Sequence, residues 1–171
     1  MFEVEITPDI IALARKKAEE MGELRNSITE GEGNLAGFIG EIICAKWLFG
    51  DIKNTYDYDI VLKDGTTYDV KTKRCTSPPK NFYECSIAAY NTKQKCDKYI
   101  FVRVLYKNGK FGSAWILGEK LKHDYFSEAK FLKKGQIDPS NNFTVKADCY
   151  NMAIKNLNPL NIHRNLSEEQ V

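Results

Sequence analysis

Histidine is almost missing from this chain: His123 and His163 are the only two in 171 residues, and they lie far apart. The five cysteines, Cys44, Cys75, Cys85, Cys96 and Cys149, include no pair at Cys-x-x-Cys spacing. A structural zinc site needs four such ligands in closely spaced pairs, so this inventory argues against one. An odd set of scattered thiols also argues against a disulfide framework and predicts reduced, mostly buried cysteines. An iron–sulfur cluster on Cys75, Cys85 and Cys96 is the remaining metal reading of the thiols, and it lacks the fourth ligand and the tight spacing such clusters use. Excess charge is missing too. The net charge is only +2, so no global positive field announces nucleic acid, although a local patch balanced by acids elsewhere would escape this count.

Long apolar runs are absent, since the best stretches are broken by Glu41 or Arg103. The opening MFEVEITPD carries acids where a secretion signal carries Lys or Arg ahead of an apolar run. A soluble, cytoplasmic protein without a membrane partner is expected. Repeats, low-complexity tracts and proline-rich linkers are also lacking, which predicts one domain over residues 1–171. Its hydrophobic fraction of 43% is enough to build a core.

Local signals then mark the elements. Thr7-Pro8-Asp9 reads as a helix start, with a capping hydroxyl, proline in the first turn and an acid at the positive helix end; that helix should reach Met21 and stop near Gly22. Residues 23–33 read as a loop, and a second helix is expected over 34–49, ending at Gly50. Strands are expected over Tyr56–Leu62, Thr66–Arg74, Phe82–Ala88, Tyr99–Tyr106 and Lys110–Leu117, the last two joined by Asn108-Gly109. One or two helical turns fit Thr92–Asp97, a helix fits Glu119–Lys134, and 136–143 reads as a polar loop with a mixed tail after it. Together these predict an α/β domain with a mixed sheet.

Aspartate is disfavoured in strands, yet Asp57, Asp59 and Asp69 all fall in strand-like sequence, with Lys71 beside them. Asp69 and Lys71, two apart, share one face of their strand. Tyr68, Val70 and Thr72 take the other, where Tyr58, Ile60 and Leu62 can join them as core. The turn at Lys63-Asp64-Gly65 decides whether Asp59 meets them. A two-residue loop would turn Asp59 to the wrong face, because a one-residue slip reverses every side chain. A three-residue loop with Gly65 in the left-handed position pairs Ile60 with Tyr68, sets Asp59 opposite Asp69, and gathers the apolar residues. Packing and chemistry choose the same register, and Asp57 is expected to be peripheral. Two carboxylates held a few ångströms apart suit a hard divalent cation such as Mg²⁺ or Mn²⁺. A lysine on the same face can orient water or stabilise charge building on a phosphate.

The second helix adds Glu41. Leu35, Phe38, Ile39, Ile42, Ile43, Trp47, Leu48 and Phe49 leave this helix no wide polar face, so it should be largely buried. Gly37 and Gly40 each cost helix stability, up to about 1 kcal/mol against Ala, which suggests a close packing need. A carboxylate bordering that stripe needs a cation or donors, and a metal or Lys71 would supply them.

At these residues the chain resembles the PD-(D/E)XK nuclease superfamily. The match runs through Gly37-Phe38-Ile39-Gly40-Glu41, Tyr58-Asp59-Ile60-Val61-Leu62 and Tyr68-Asp69-Val70-Lys71-Thr72, within a core of about 34–117. Tyr58 stands where the family's name has proline, and the second acid is Asp. The resemblance implies a restriction-endonuclease-like fold, a central mixed β-sheet flanked by helices. It implies that Asp59, Asp69 and the Val70 carbonyl hold Mg²⁺ or Mn²⁺, that Glu41 joins directly or through water, and that Lys71 acts on the nucleophile. The expected activity is metal-dependent hydrolysis of DNA phosphodiester bonds. A small endonuclease on duplex or structured DNA, acting as a homodimer, fits the compact size. An exonuclease of the same superfamily and a non-catalytic nucleic-acid-binding module on the same fold are the alternatives. Lys73, Arg74 and Lys80 follow as phosphate contacts, with Phe82, Tyr83 and Tyr90 as candidates for base stacking.

Overall fold

The computed structural model describes residues 1–22, 32–53 and 55–160. Helix α1 (Pro8–Gly22) starts at the Thr7-Pro8-Asp9 signal, and the Ile11 N–H donates to the Thr7 carbonyl at 3.2 Å. Helix α2 (Glu32–Leu48) begins two residues earlier than expected; the rest of the loop predicted over 23–33 lies outside the described residues. Phe49 takes a positive φ of 51°, and the Gly50 N–H donates to the Ala45 carbonyl, which closes the helix at the expected glycine.

The strands are β1 (Phe2–Glu5), β2 (Asp51–Ile52), β3 (Ile60–Val61), β4 (Thr67–Cys75), β5 (Glu84–Ala88), β6 (Lys98–Lys107), β7 (Lys110–Leu121), β8 (Lys130–Leu132) and β9 (Cys149–Ala153). Six of them form one mixed sheet in the order β1-β7-β6-β4-β3-β2, in which β4 and β6 run parallel and the other neighbours antiparallel. The protein is thus α/β with a mixed sheet, as the alternation of elements predicts. The β6–β7 hairpin turns on Asn108 and Gly109, both at positive φ, the two-residue turn that this dipeptide favours.

The two long helices lie on the same face of that sheet. Ile10 and Ala14 of α1 and Ile39, Ile42 and Ile43 of α2 form one core with Ile60, Tyr68, Ile100, Val102 and Ile116. The opposite face is covered by a second sheet, β5-β9-β8, and by the short helix α3 (Lys122–Glu128). There Tyr99, Phe101, Trp115 and Leu117 pack on Cys85, Ile87, Tyr125 and Met152. Tyr125 anchors this layer: it is fully buried, and its hydroxyl can donate to either of the Cys85 and Tyr150 carbonyls, at 3.0 and 2.7 Å.

Three expectations need correction. The helix predicted over Glu119–Lys134 is strand β7 to Leu121, then α3, then β8. Glu119 stays paired with Ile100 in the sheet, and its carboxylate accepts from the Tyr68 hydroxyl at 2.7 Å and from Lys98 at 2.9 Å; Lys130–Leu132 leaves the helical path to pair with β9. The strand predicted over Tyr56–Leu62 shrinks to Ile60–Val61, so Tyr58 packs with the second core instead of the first. The helical turn placed at Thr92–Asp97 is a 3-10 turn at Ala89–Lys93. All five cysteines are free thiols; Cys44, Cys85 and Cys96 are buried.

Candidate active site

The β3–β4 hairpin has the three-residue turn. Ile60 pairs with Tyr68 and Val61 with Thr67, the Leu62 N–H donates to the Thr66 carbonyl, and Gly65 has a φ of 87°. Beyond Ile60 the ladder ends, so Asp59 is not paired across from Asp69 as the register predicted; its N–H donates instead to the Tyr68 carbonyl at 2.9 Å. The Asp59 carboxylate then replaces a strand carbonyl: its Oδ2 accepts the Val70 N–H at 2.7 Å. Asp59 is thereby held against the edge of β4 on either side of Asp69, and both aspartates line a cleft of about 390 Å³ with Tyr56, Lys71 and Gln94. Asp57 is peripheral, accepting the Lys95 N–H at 3.0 Å.

Asp69 is only 4% exposed. Its Oδ1 accepts from Gln94 Nε2 at 2.8 Å. Its Oδ2 lies 2.5 Å from Lys71 Nζ in a buried salt bridge and meets no other donor among the described residues. Gln94 ties the site together. Its Nε2 also donates to the Tyr56 carbonyl at 3.0 Å, and its Oε1 faces Lys71 Nζ at 3.4 Å. Two acceptors on one side and an ammonium on the other fix the orientation of this amide. Sequence reasoning passed over Gln94. It precedes β6, and only the parallel pairing of β4 with β6, Asp69 beside Tyr99, brings that segment to Asp69.

Glu41 finds a different cation from the ones expected. Lys17 of α1 sits 3.1 Å from its Oε2, and Glu41 does not line the cleft. Ile10, Ala14 and Lys17 follow the i, i+4, i+7 spacing of one helix face, so a lysine on the buried stripe of α1 was the available signal. Among the described residues no three His, Cys, Asp or Glu side chains are gathered into a ready metal cage.

The carboxyls nevertheless feel one another. Burial pushes Asp59 up to about 7; the Asp69 and Glu41 charges add to the rise, and the Val70 N–H and Lys71 oppose it. Asp69 is raised by burial against the counter-pull of Lys71 and Gln94. Glu41 is raised by burial, with Lys17 pulling it down and the Asp69 charge adding a little. Such a cluster binds protons or cations in preference to standing fully ionised.

Of the residues expected to meet phosphate, Lys73 shares the face of Asp69 and Lys71. Arg74 turns to the other face and stacks on Tyr106, 5.2 Å from the ring centre. Lys80 lies 5.7 Å above the Phe82 ring. No family model matches the chain, and no curated protein compared with it is similar.

Proposed function

We propose that the protein is a metal-dependent nuclease hydrolysing DNA phosphodiester bonds at Asp59, Asp69 and Lys71, on a restriction-endonuclease-like version of the mixed α/β fold. The observation that carries this reading is a pair of buried carboxyls, Asp59 and Asp69, both raised, lining one cleft with Lys71, whose ammonium is the one partner of Asp69 Oδ2 among the described residues. Two buried carboxylates that share a cleft are destabilised when both are ionised, and a hard cation relieves both the burial cost and their mutual repulsion.

Asp59, Asp69 and the adjoining Val70 carbonyl would hold Mg²⁺ or Mn²⁺; Glu41, engaged by Lys17, would reach the ion through water. When bound, the ion adds positive charge to the phosphate and acidifies water. Lys71 then no longer has to balance Asp69 alone, and its ammonium is free to contact the attacked phosphate or orient the attacking water. Gln94 holds Asp69 through Oδ1, leaving Oδ2 for the ion. Hydrolysis consumes one water, forms one P–O bond and breaks another, with no redox partner. Cutting both strands of a duplex with one site per chain is met most simply by a homodimer.

The test is incubation of supercoiled, linear and branched DNA with the protein in Mg²⁺, in Mn²⁺ and in EDTA. Metal-dependent cleavage is expected. DNA that binds but stays intact in both metals favours a non-catalytic binding module, and release of mononucleotides from linear ends alone favours an exonuclease.

A further inference from the structure

Lys73 of β4 and Arg103 of β6 are direct neighbours in the parallel register. Like charges placed side by side in a sheet repel. No carboxylate among the described residues pairs with either. Arg103 is 7% exposed, and its Nη2 donates to a neutral acceptor, the Glu84 carbonyl, at 2.7 Å. The thiol of Cys85, which also feels both cations, stays neutral, because burial pushes it up to about 12. Lys73 is itself lowered, first by burial and then by the Arg103 charge.

These two cations lie two strand residues beyond Lys71 on its own face, about 6.6 Å further along. A small cavity of about 180 Å³ is lined by Lys71, Lys73, Ser86 and Arg103. Lys73 and Arg103 also border a larger one, of about 580 Å³, between the outer face of the small sheet and the loop through residues 138–147. Tyr83, Phe82 and Phe143 line it, the last two 61% and 53% exposed. Lys80 lies over the Phe82 ring, and Lys146 stands 6.0 Å over that of Phe143. The cavity's acids are already occupied: Glu84 and Asp138 share Lys130, at 3.2 and 2.8 Å. What remains is paired cations at one end, aromatic faces, and a direct line to Lys71.

We infer that this cavity is a subsite for one unpaired nucleotide of a single strand, its phosphate on Lys73 and Arg103 and its base enclosed by Phe82, Tyr83 and Phe143. The inference rests on the nuclease reading and narrows its substrate to single-stranded segments beside the cut. A base can enter such a recess only when it is out of a duplex, and aromatic faces accept any base. The volume falls in the range of small-ligand sites.

The experiment is fluorescence polarisation with a labelled oligothymidylate in EDTA, so that nothing is cleaved, against the same strand annealed into a blunt duplex. The single strand should bind about tenfold tighter than the duplex. Phe82→Ala and Phe143→Ala, both at exposed positions, should each weaken it about fivefold or more. Lys73→Gln should reduce the slope of log affinity against log salt by about 0.7. Melting curves confirm that each variant stays folded. Equal affinity for duplex and single strand, or unchanged binding in all three variants, overturns the subsite even if Mg²⁺-dependent cleavage is present. Binding that is lost in these variants, with no cleavage of any DNA in Mg²⁺, keeps the subsite and overturns the nuclease reading.

Discussion

Removing the Lys71 ammonium takes from the buried Asp69 Oδ2 its one partner among the described residues. Lys71→Ala should therefore abolish cleavage, by about three orders of magnitude, because the residues of such a site act as a unit on one transition state. The fold should survive, since Asp69 can take up a proton in compensation. A purified Lys71→Ala protein that cleaves DNA at near wild-type rate would falsify the assignment. Gln94 makes a finer test. It holds Asp69 without facing the substrate through a charge of its own, so Gln94→Ala should weaken Mn²⁺ affinity by about 10- to 100-fold, as loss of a ligand's supporting hydrogen bond does. Isothermal titration of the variant with Mn²⁺ reads this directly, and an unchanged affinity removes Gln94 from the site.

Among the elements, α2 and β4 meet at Gly40. A Cβ there would lie 2.0 Å from Thr72 Oγ1 and 3.1 Å from Thr72 Cβ. Alanine gains helix propensity, up to about 1 kcal/mol, but the clash pushes α2 off the strand that carries Asp69 and Lys71. Gly40→Ala should cost about 1–3 kcal/mol net in urea unfolding, and Thr72→Ala in the same chain should restore most of it. The Thr72 hydroxyl is itself buried without a partner, so its removal gives up no hydrogen bond. Simple additivity of the two changes would mean that they do not touch.

A second element-level prediction concerns β5, β8 and the loop that covers them. Burial alone would raise Asp138; Lys130, the Glu84 side chain and the Ser140 N–H and hydroxyl reverse that and hold it well below its ordinary value of 3.8. A carboxyl depressed in the fold contributes stability that is present above its unfolded value and is lost as pH falls toward its folded one. Asp138→Asn should thus be less stable at pH 7, by about 1–3 kcal/mol, with the gap closing progressively below about pH 4. A gap independent of pH would show that the Asp138 charge is not involved.

These elements also show what could be read in advance. Gly65 and the apolar alternation were enough to choose the hairpin register, and Asn108-Gly109 and Thr7-Pro8 marked their turn and helix start, because each is a local backbone preference. Lys17, Gln94 and β9 were hidden for the opposite reason. Each acts through a partner 20 or more residues away: Lys17 through Glu41, Gln94 through Asp69, and β9 through β5. Helix propensity over 119–134 misled because β9 captures Lys130–Leu132, a pairing that no nearby residue announces.

For the whole molecule, an ion that binds the folded cleft and not the unfolded chain must raise the melting temperature. The carboxyl cluster makes this a sizeable effect, about 2–4 kcal/mol once Mn²⁺ exceeds its dissociation constant a hundredfold or more. Asp59→Asn should remove most of the rise. A wild-type melting curve indifferent to millimolar Mn²⁺ would exclude a carboxylate metal site here.

The route of the chain between β4 and β6 has a consequence for folding. These strands are parallel neighbours in the large sheet, yet the chain joining them first contributes β5 to the small one. The large sheet therefore cannot close its parallel pair until the intervening segment is laid down, and β5 finds its own partner only when β9 arrives more than 60 residues later. Neither sheet is built from one continuous stretch of chain. Such long-range closures are slow, because the entropy of the loop is lost before any contact rewards it. The two layers should unfold in one cooperative step, with amides of β5 and of β6 exchanging hydrogen through the same global opening.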